Sequence, residues 1–304
     1  MSQQVAVLMG GWSVEREVSL TSGAACAAAL RRAGYGVTEI DVGRDIGQVL
    51  AEARPDVCFN ALHGRGGEDG HIAALLDILG IPYSHSGVLA SALAMDKTRA
   101  KQLLATQGIR FPEGRLMHRD QVLAGDVMDR PYVIKPNGEG SSVGVSIVQP
   151  GDNQPPLQAD AWCYGEQVLV ERYIPGRELT VAVMGDRPLA VTELSPKQGF
   201  YDYRAKYTEN LTTHVIPAPL PQDDYQQALD HSLCAHRALG CRGVSRADFR
   251  YDDTGGGSAT LYMLEVNTQP GMTPMSLVPE QARYAGISFE DLVTWMVENA
   301  ACDA

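Results

Sequence analysis

The 304-residue chain has no Cys-x-x-Cys pair, no Lys/Arg run longer than Arg31-Arg32, and no apolar stretch near the ~20 residues that span a bilayer. Each absence excludes something. Cys26, Cys58, Cys163, Cys234, Cys241 and Cys302 are scattered, and at this length they describe buried free thiols rather than a disulfide framework. With 25 basic against 37 acidic residues the net charge is −12, so the average surface field repels phosphate backbones and anionic lipid. Neither nucleic acid nor a membrane is an expected partner. The start MSQQVAVLMGG lacks a basic n-region and runs straight into a short apolar segment, so the expected location is the cytoplasm. Only 31 Gly and 17 Pro are present, with 44% hydrophobic and 20% charged residues, which excludes low complexity, collagen and coiled coil as global descriptions. The length leaves room for two or three domains.

What is present begins as an alternation. VAVLM is followed by a helical period over 13–30, VTEIDV by one over 46–53, and DVCFNAL by one over 71–79. Strand, helix, strand repeated in this way predicts a parallel sheet covered on both faces, whose ligands gather at loops leaving the carboxyl ends of strands. Those loops are GGWS and HGRGGEDG. A second unit opens at the helix signal Asp96-Lys97-Thr98. Beyond it PYVIKP, VGVSIV, QVLVERYI and ELTVAVM read as strands of an antiparallel sheet with one wet face. The polar segment 195–214, SPKQGFYDYRAKYTENLTTH, has no strong period, as expected of a long functional loop. A helix is predicted over 222–239, a glycine-turned hairpin over SRADFRYDDTGGGSATLYMLEVN, and an amphipathic helix over 288–300.

The hairpin carries the strongest local signal. Glu265 and Asn267 stand at i and i+2 and so share a face, and strand pairing can bring Asp248 beside them. Two carboxylates and an amide oxygen form a hard donor set suited to Mg²⁺ holding a substrate phosphate; a solvated strand face with an ordinary charge pair fits the same spacing. KPNGEGSSVG, from Lys135, can aim turn N–H groups at a phosphate with a lysine beside them, or be a plain hairpin turn. It matches neither the Walker A nor the dinucleotide glycine pattern. Glu15 follows a candidate Ser13 cap, where a carboxylate favours the helix dipole by about 0.3–1 kcal/mol without any ligand. His63 precedes a glycine loop, and taken singly a histidine there is more often structural. Arg246 shares a face with Asp248 at i, i+2, and the Gly271 N–H in the tail could flank a developing oxyanion with it.

Together GGWSVEREVSL, HGRGGEDG, SGVLASALAMDK, YVIKPNGEGSSVG, GFYDYRAKY, SRADF and EVNTQPGMTPMSLVP, in this order over nearly the whole chain, resemble the D-alanine-D-alanine ligases of the ATP-grasp superfamily. The resemblance implies a mixed α/β chain with a three-domain ATP-grasp fold. A Rossmann-like parallel sheet would fill 1–94, and two sheets, in a central domain 95–179 and a C-terminal domain 180–304, would clamp ATP. It implies ligation of two D-alanine molecules through a D-alanyl phosphate, for peptidoglycan precursors, by a homodimer. Carried over, Lys97 and Lys135 bind ATP phosphates, Glu139, Ser142 and Val143 lie in a turn over them, Glu171, Arg172, Tyr173 and Ile174 present backbone to adenine, and Glu178 takes the ribose. Asp248, Glu265 and Asn267 hold two Mg²⁺ ions, for which Mn²⁺ can substitute. Glu15, linked to Ser141 and Tyr207, binds the ammonium of the first D-alanine near His63. Arg246 and Gly271 stabilise the oxyanion, and Lys206, Ser276 and Leu277 address the γ-phosphate and second carboxylate. Tyr207 favours an amine as second substrate over D-lactate, while a ligase using D-lactate or D-serine, or a non-catalytic nucleotide-binding protein, stands as the alternative. A Rossmann dehydrogenase explains only the first ninety residues and lacks the glycine fingerprint.

Overall fold

A computed structural model describes residues 2–141, 143–152, 157, 162–196 and 212–303. Strands β1 (Gln4–Met9), β2 (Gly36–Asp41) and β3 (Val57–Asn60) form a parallel sheet in the order β2-β1-β3. Its central strand is apolar from Val5 to Met9 because both faces are covered. Val5 and Val7 point to one side, where α1 (Arg16–Arg32) contributes Cys26, Ala27 and Leu30; Ala6 and Leu8 point to the other, against Ile46 and Leu50 of α2 (Ile46–Ala53) and Ile72 and Leu76 of α3 (His71–Leu79). Burial of each such side chain contributes roughly 1.5–3 kcal/mol.

Helix α1 starts later than the sequence suggests. Glu15, with φ −95 and ψ 14, is the residue at its N-cap, while the Ser13 hydroxyl accepts from the Glu15 N–H and donates to the His63 carbonyl. Ser13 therefore ties two loops together instead of capping the helix. Gly10 holds φ +77 as β1 ends; a side chain there would collide with Asp41 and Arg16, which form a bidentate pair.

Two helices link the parallel sheet to the rest, α4 (Val88–Met95) and α5 (Lys97–Ala105), the latter capped by Asp96 accepting from the Arg99 N–H. The antiparallel region is two sheets, not one. β4 (Gly114–His118), β5 (Tyr132–Lys135), β6 (Ser146–Val148) and β7 (Gln167–Arg172) pair in the order β4-β7-β5-β6, with α6 (Arg119–Leu123) beside them. The run ELTVAVM lies instead in β8 (Arg177–Met184), within a five-stranded sheet completed by β9 (Arg187–Pro196), β10 (Thr212–Val215), β11 (Val244–Asp252) and β12 (Thr260–Asn267) in the order β10-β9-β8-β11-β12. Five consecutive β8 residues are buried because the strand is central, with α7 (Gln222–Ala238) covering one face. Ala182 on the other face joins a core with Val278 and Ala282 of α8 (Leu277–Tyr284) and Leu292 and Met296 of α9 (Phe289–Glu298). That core also includes Val5, Val7 and Phe59, so the C-terminal helices join the five-stranded sheet to the parallel one. No helix among the described residues is long and apolar enough to cross a membrane.

Candidate active site

The four- and five-stranded sheets face each other across a cleft that, its open mouth included, holds about 920 Å³ of empty space. Lys97, Lys135, Glu139, Val143, Glu171, Arg172, Tyr173, Ile174, Glu178, Asp248 and Glu265 all line it, beside apolar walls from Val133, Ile147 and Leu264. Arg250 shapes one end, donating to the Ile174 and Gly176 carbonyls at 3.0 and 2.7 Å and approaching Glu178 at 3.6 Å. The Ile174 N–H has no acceptor among the described residues, so a polar edge of a ligand can take it.

The other end of the cleft is charged. Lys97 stands at the first turn of α5, where Nζ donates to the Glu139 carbonyl and lies 3.2 Å from Glu265 Oε2. Lys135, at the end of β5, lies 2.8 Å from Glu171 Oε2. Burial, only partly opposed by Glu265 and reinforced by Lys97, pushes Lys135 down to about 8. The Glu171 side chain is not merely a carrier of backbone, because its other oxygen contacts Lys101 of α5.

On the facing hairpin, β11 and β12 pair Asp248 with Glu265 and Arg246 with Asn267, so all four side chains share the cleft face. The register then slips between Asp248 and Phe249, with Phe249 opposite Met263. Leu264 is the extra, bulged residue, and because of it Leu264 and Glu265 both face the cleft although they are adjacent in the chain. Asp248 is held by three hydrogen bonds: Arg246 donates at 2.8 and 2.7 Å, and the Thr180 hydroxyl at 2.7 Å. Asn267 Oδ1 accepts from the Gln269 N–H at 2.8 Å. Among the described residues no three His, Cys, Asp or Glu side chains cluster as metal ligands. The donor set is instead two facing carboxylates and one amide oxygen, all hard, with the cations of Arg246 and Lys97 now against the carboxylates. That chemistry fits a divalent ion that binds oxygen and shares its sphere with a phosphate.

A second, smaller cavity of about 320 Å³ is lined by Lys97, Glu139, Glu265 and Asn267 together with Gly140 and Glu68. Beside Gly140 the Ser141 hydroxyl donates to Glu15 Oε1 in a short contact. Ser141 has φ +50, a left-handed conformation uncommon outside glycine, of the kind that persists where surroundings over-determine it. His63 is buried, with Nδ1 3.1 Å from Glu68 Oε1. Burial lowers its pKa, but the hydrogen bond and charge of Glu68, aided by Glu15, outweigh it and the net direction is upward. Gly271 stands where an added side chain would come within 3.0 Å of Ser276 Oγ, and Ser276 precedes α8, which places the Leu277 N–H at a helix start. Ser142, Lys206 and Tyr207 lie outside the described residues, as does most of the polar segment expected to form a loop.

Sequence reasoning missed several contributors. Lys101, Thr180 and Arg250 act through distant contacts that no local spacing marks, and Glu68 holds His63 from five residues further along the same glycine loop. Asn60 and Gln269 exchange hydrogen bonds, fastening the end of β3 to the tail after Asn267. Gln281 of α8 is fully buried beside a second bulge, between Val181 and Val183 of β8. Its Oε1 accepts from the Ala182 N–H at 2.7 Å, and its Nε2 donates to the Thr180 carbonyl and Thr192 Oγ1, each at 3.1 Å.

A family model described as D-ala D-ala ligase C-terminus matches residues 115–298. The D-alanine-D-alanine ligase of Parvibaculum lavamentivorans is 59% identical over 304 residues, covering 99% of each chain. The crystal structure of the D-alanine-D-alanine ligase from Bacillus anthracis aligns with a TM-score of 0.84 at 32% identity, over 98% of this chain and 97% of that one. The same ligase complexed with ATP aligns with a TM-score of 0.81 at 31% identity, over the same 98% and 97%.

Proposed function

The chain belongs to the D-alanine-D-alanine ligase family, with its ATP-grasp fold, and on that premise we propose that the cleft between the two antiparallel sheets binds ATP and the pocket at Glu15 binds D-alanine. The enzyme is an ATP-dependent ligase joining two D-alanine molecules to D-alanyl-D-alanine for peptidoglycan precursors. The observation that carries the site is that the cleft holding Lys97, Lys135 and Asp248 and a second cavity lined by Gly140 and Glu68 share the walls Lys97, Glu139 and Glu265.

In this reading adenine lies against 171–174, with the Ile174 N–H donating to its edge, and Glu178 accepts from the ribose hydroxyls. Lys97 and Lys135 pair with phosphate oxygens under the turn of Glu139 to Val143, which includes Ser142, and Lys206 reaches the γ-phosphate. Asp248, Glu265 and Asn267 would hold Mg²⁺, whose charge offsets that of the transferring phosphoryl group.

Glu15, fixed by Ser141 and, through the family resemblance, Tyr207, binds the ammonium of the first D-alanine. The carboxylate oxygen of that D-alanine attacks the γ-phosphorus, the bond to the β-phosphate oxygen breaks, and ADP leaves the D-alanyl phosphate behind. His63, held by Glu68, contacts the same substrate. The amine of the second D-alanine then attacks the acyl carbonyl, Arg246 and the Gly271 N–H stabilise the oxyanion, and phosphate departs as the nitrogen loses its proton. Ser276 and the Leu277 N–H bind the second carboxylate. The boundaries 1–94, 95–179 and 180–304, a homodimeric state and a cytoplasmic location belong to the same proposal.

Mg²⁺-dependent ADP release with D-alanine, with products identified, tests the reading. D-alanyl-D-alanine as the sole major product, also when D-lactate or D-serine is added, supports it. A preferred ester or a D-serine dipeptide would refute the second-substrate assignment, and nucleotide binding without ADP release would refute catalysis.

A further inference from the structure

Lys101 is used by none of these steps, yet it sits where two lysines compete for one carboxylate. It follows Lys97 by one helical turn on α5, so both reach the same side of the helix. Lys97 extends to Glu265 and the Glu139 carbonyl in the cleft, whereas Lys101 meets Glu171 away from the cleft wall, over the Phe111 ring at 5.8 Å. Glu171 is 2% exposed and is therefore closed to water as an alternative partner. Its second oxygen holds Lys135 at 2.8 Å, and Lys135 lines the cleft.

A buried carboxylate with one counterion holds it more tightly than a carboxylate shared between two, because the field in a low-dielectric site is not screened. Burial, with the charges of Lys135 and Lys97, drives the Lys101 ammonium down from the usual lysine range, and the charge of Glu265 opposes that. We propose that Lys101 is a positioning residue for nucleotide binding: by occupying one oxygen of Glu171 it weakens the hold of the other on Lys135, leaving Lys135 able to turn onto a phosphate. The proposal rests on the cleft being the ATP site.

The test compares Lys101→Met, Lys101→Arg, Lys135→Met and the double variant K101M/E171Q, with ATP and D-alanine varied separately. K101M raises the KM for ATP at least tenfold and leaves that for D-alanine within twofold, while K101R stays near wild type in both. The double variant recovers at least threefold of the loss in K101M, because an amide carries no charge to hold Lys135. Parallel rises in both KM values, or a double variant worse than K101M, would overturn the proposal, since a merely structural lysine gives one of those results. If K135M leaves the KM for ATP unchanged, the cleft assignment fails; if K135M raises it and K101M does not, only the role of Lys101 fails. Should K101M not fold, K101Q is read by the same criteria.

Discussion

Replacing Gln281 by Leu tests how the five-stranded sheet accommodates the bulge opposite Ala182, where β9 carries the extra residue. The side chains are similar in volume, so the change removes polar partners with little cavity. It leaves the buried Ala182 N–H without its acceptor, at about 1–3 kcal/mol, and deletes two donors from Nε2, worth about 0.5–1.5 kcal/mol each before the Thr180 carbonyl and Thr192 hydroxyl find substitutes. The expected loss is about 3 kcal/mol, a factor on the order of 10² in the folding equilibrium. Urea denaturation followed by circular dichroism measures the loss, and hydrogen exchange at the Ala182 amide localises it: protection at that amide should fall more than at neighbouring β8 amides. A shift below about 0.5 kcal/mol with Ala182 still protected would show that the amide finds another partner, and the reasoning would be wrong.

Glu15→Gln removes the charge that receives the first ammonium, so use of D-alanine should fall on the order of 10²-fold, the scale of a charge-assisted hydrogen bond, while the KM for ATP stays within twofold; equal loss for both substrates contradicts the assignment. Asp248→Asn halves the carboxylate pair of the hairpin and should lower kcat at least about 10²-fold at saturating Mg²⁺; turnover within threefold of wild type would remove Asp248 from the metal site. Lys135 provides a pH test. Its folded-state pKa is depressed to about 8, against about 10.4 in an unfolded chain, so the cost of burying its charge is fully present below pH 8 and fades as pH rises from 8 toward 10.4. Phosphate favours the charged form, so ATP binding should take up protons above pH 8 and weaken as pH rises, seen by calorimetry in buffers of different ionisation enthalpy. Proton uptake unchanged in Lys135→Met would assign it elsewhere.

The parallel sheet was legible because its signal is local: VAVLM is apolar on both faces, and each following helix repeats its apolar residues at helical spacing. The shared face of Arg246 and Asp248, and of Glu265 and Asn267, also follows from period-two alternation alone. Helices α4 and α8 escaped notice because VLASALAM and LVPEQARY lie inside motif-rich stretches read for chemistry. The assignment of ELTVAVM to the same sheet as QVLVERYI failed because strand partners are chosen by packing that neither run encodes by itself. The Lys101–Glu171–Lys135 arrangement joins positions 34 or more residues apart on one helix and two neighbouring strands, and no spacing rule reaches that far.

The Leu264 bulge has a consequence for how the hairpin can change. On the turn side of Leu264 the buried residues are Leu261 and Met263, and on the site side Val266, so the strand runs in two phases joined at one residue. Deleting Leu264 merges the phases without inverting either half: Leu261, Met263 and Val266 stay toward the core and Tyr262, Glu265 and Asn267 away from it, so the bulge and its apolar contribution to the cleft wall are lost while the facing of the site is kept. A second one-residue insertion beside Leu264 would shift the pairing again, so the facing of Glu265 and Asn267 rests on Val266 and the pairing with Arg246 and Asp248, and Leu264 itself adds only apolar surface to the cleft.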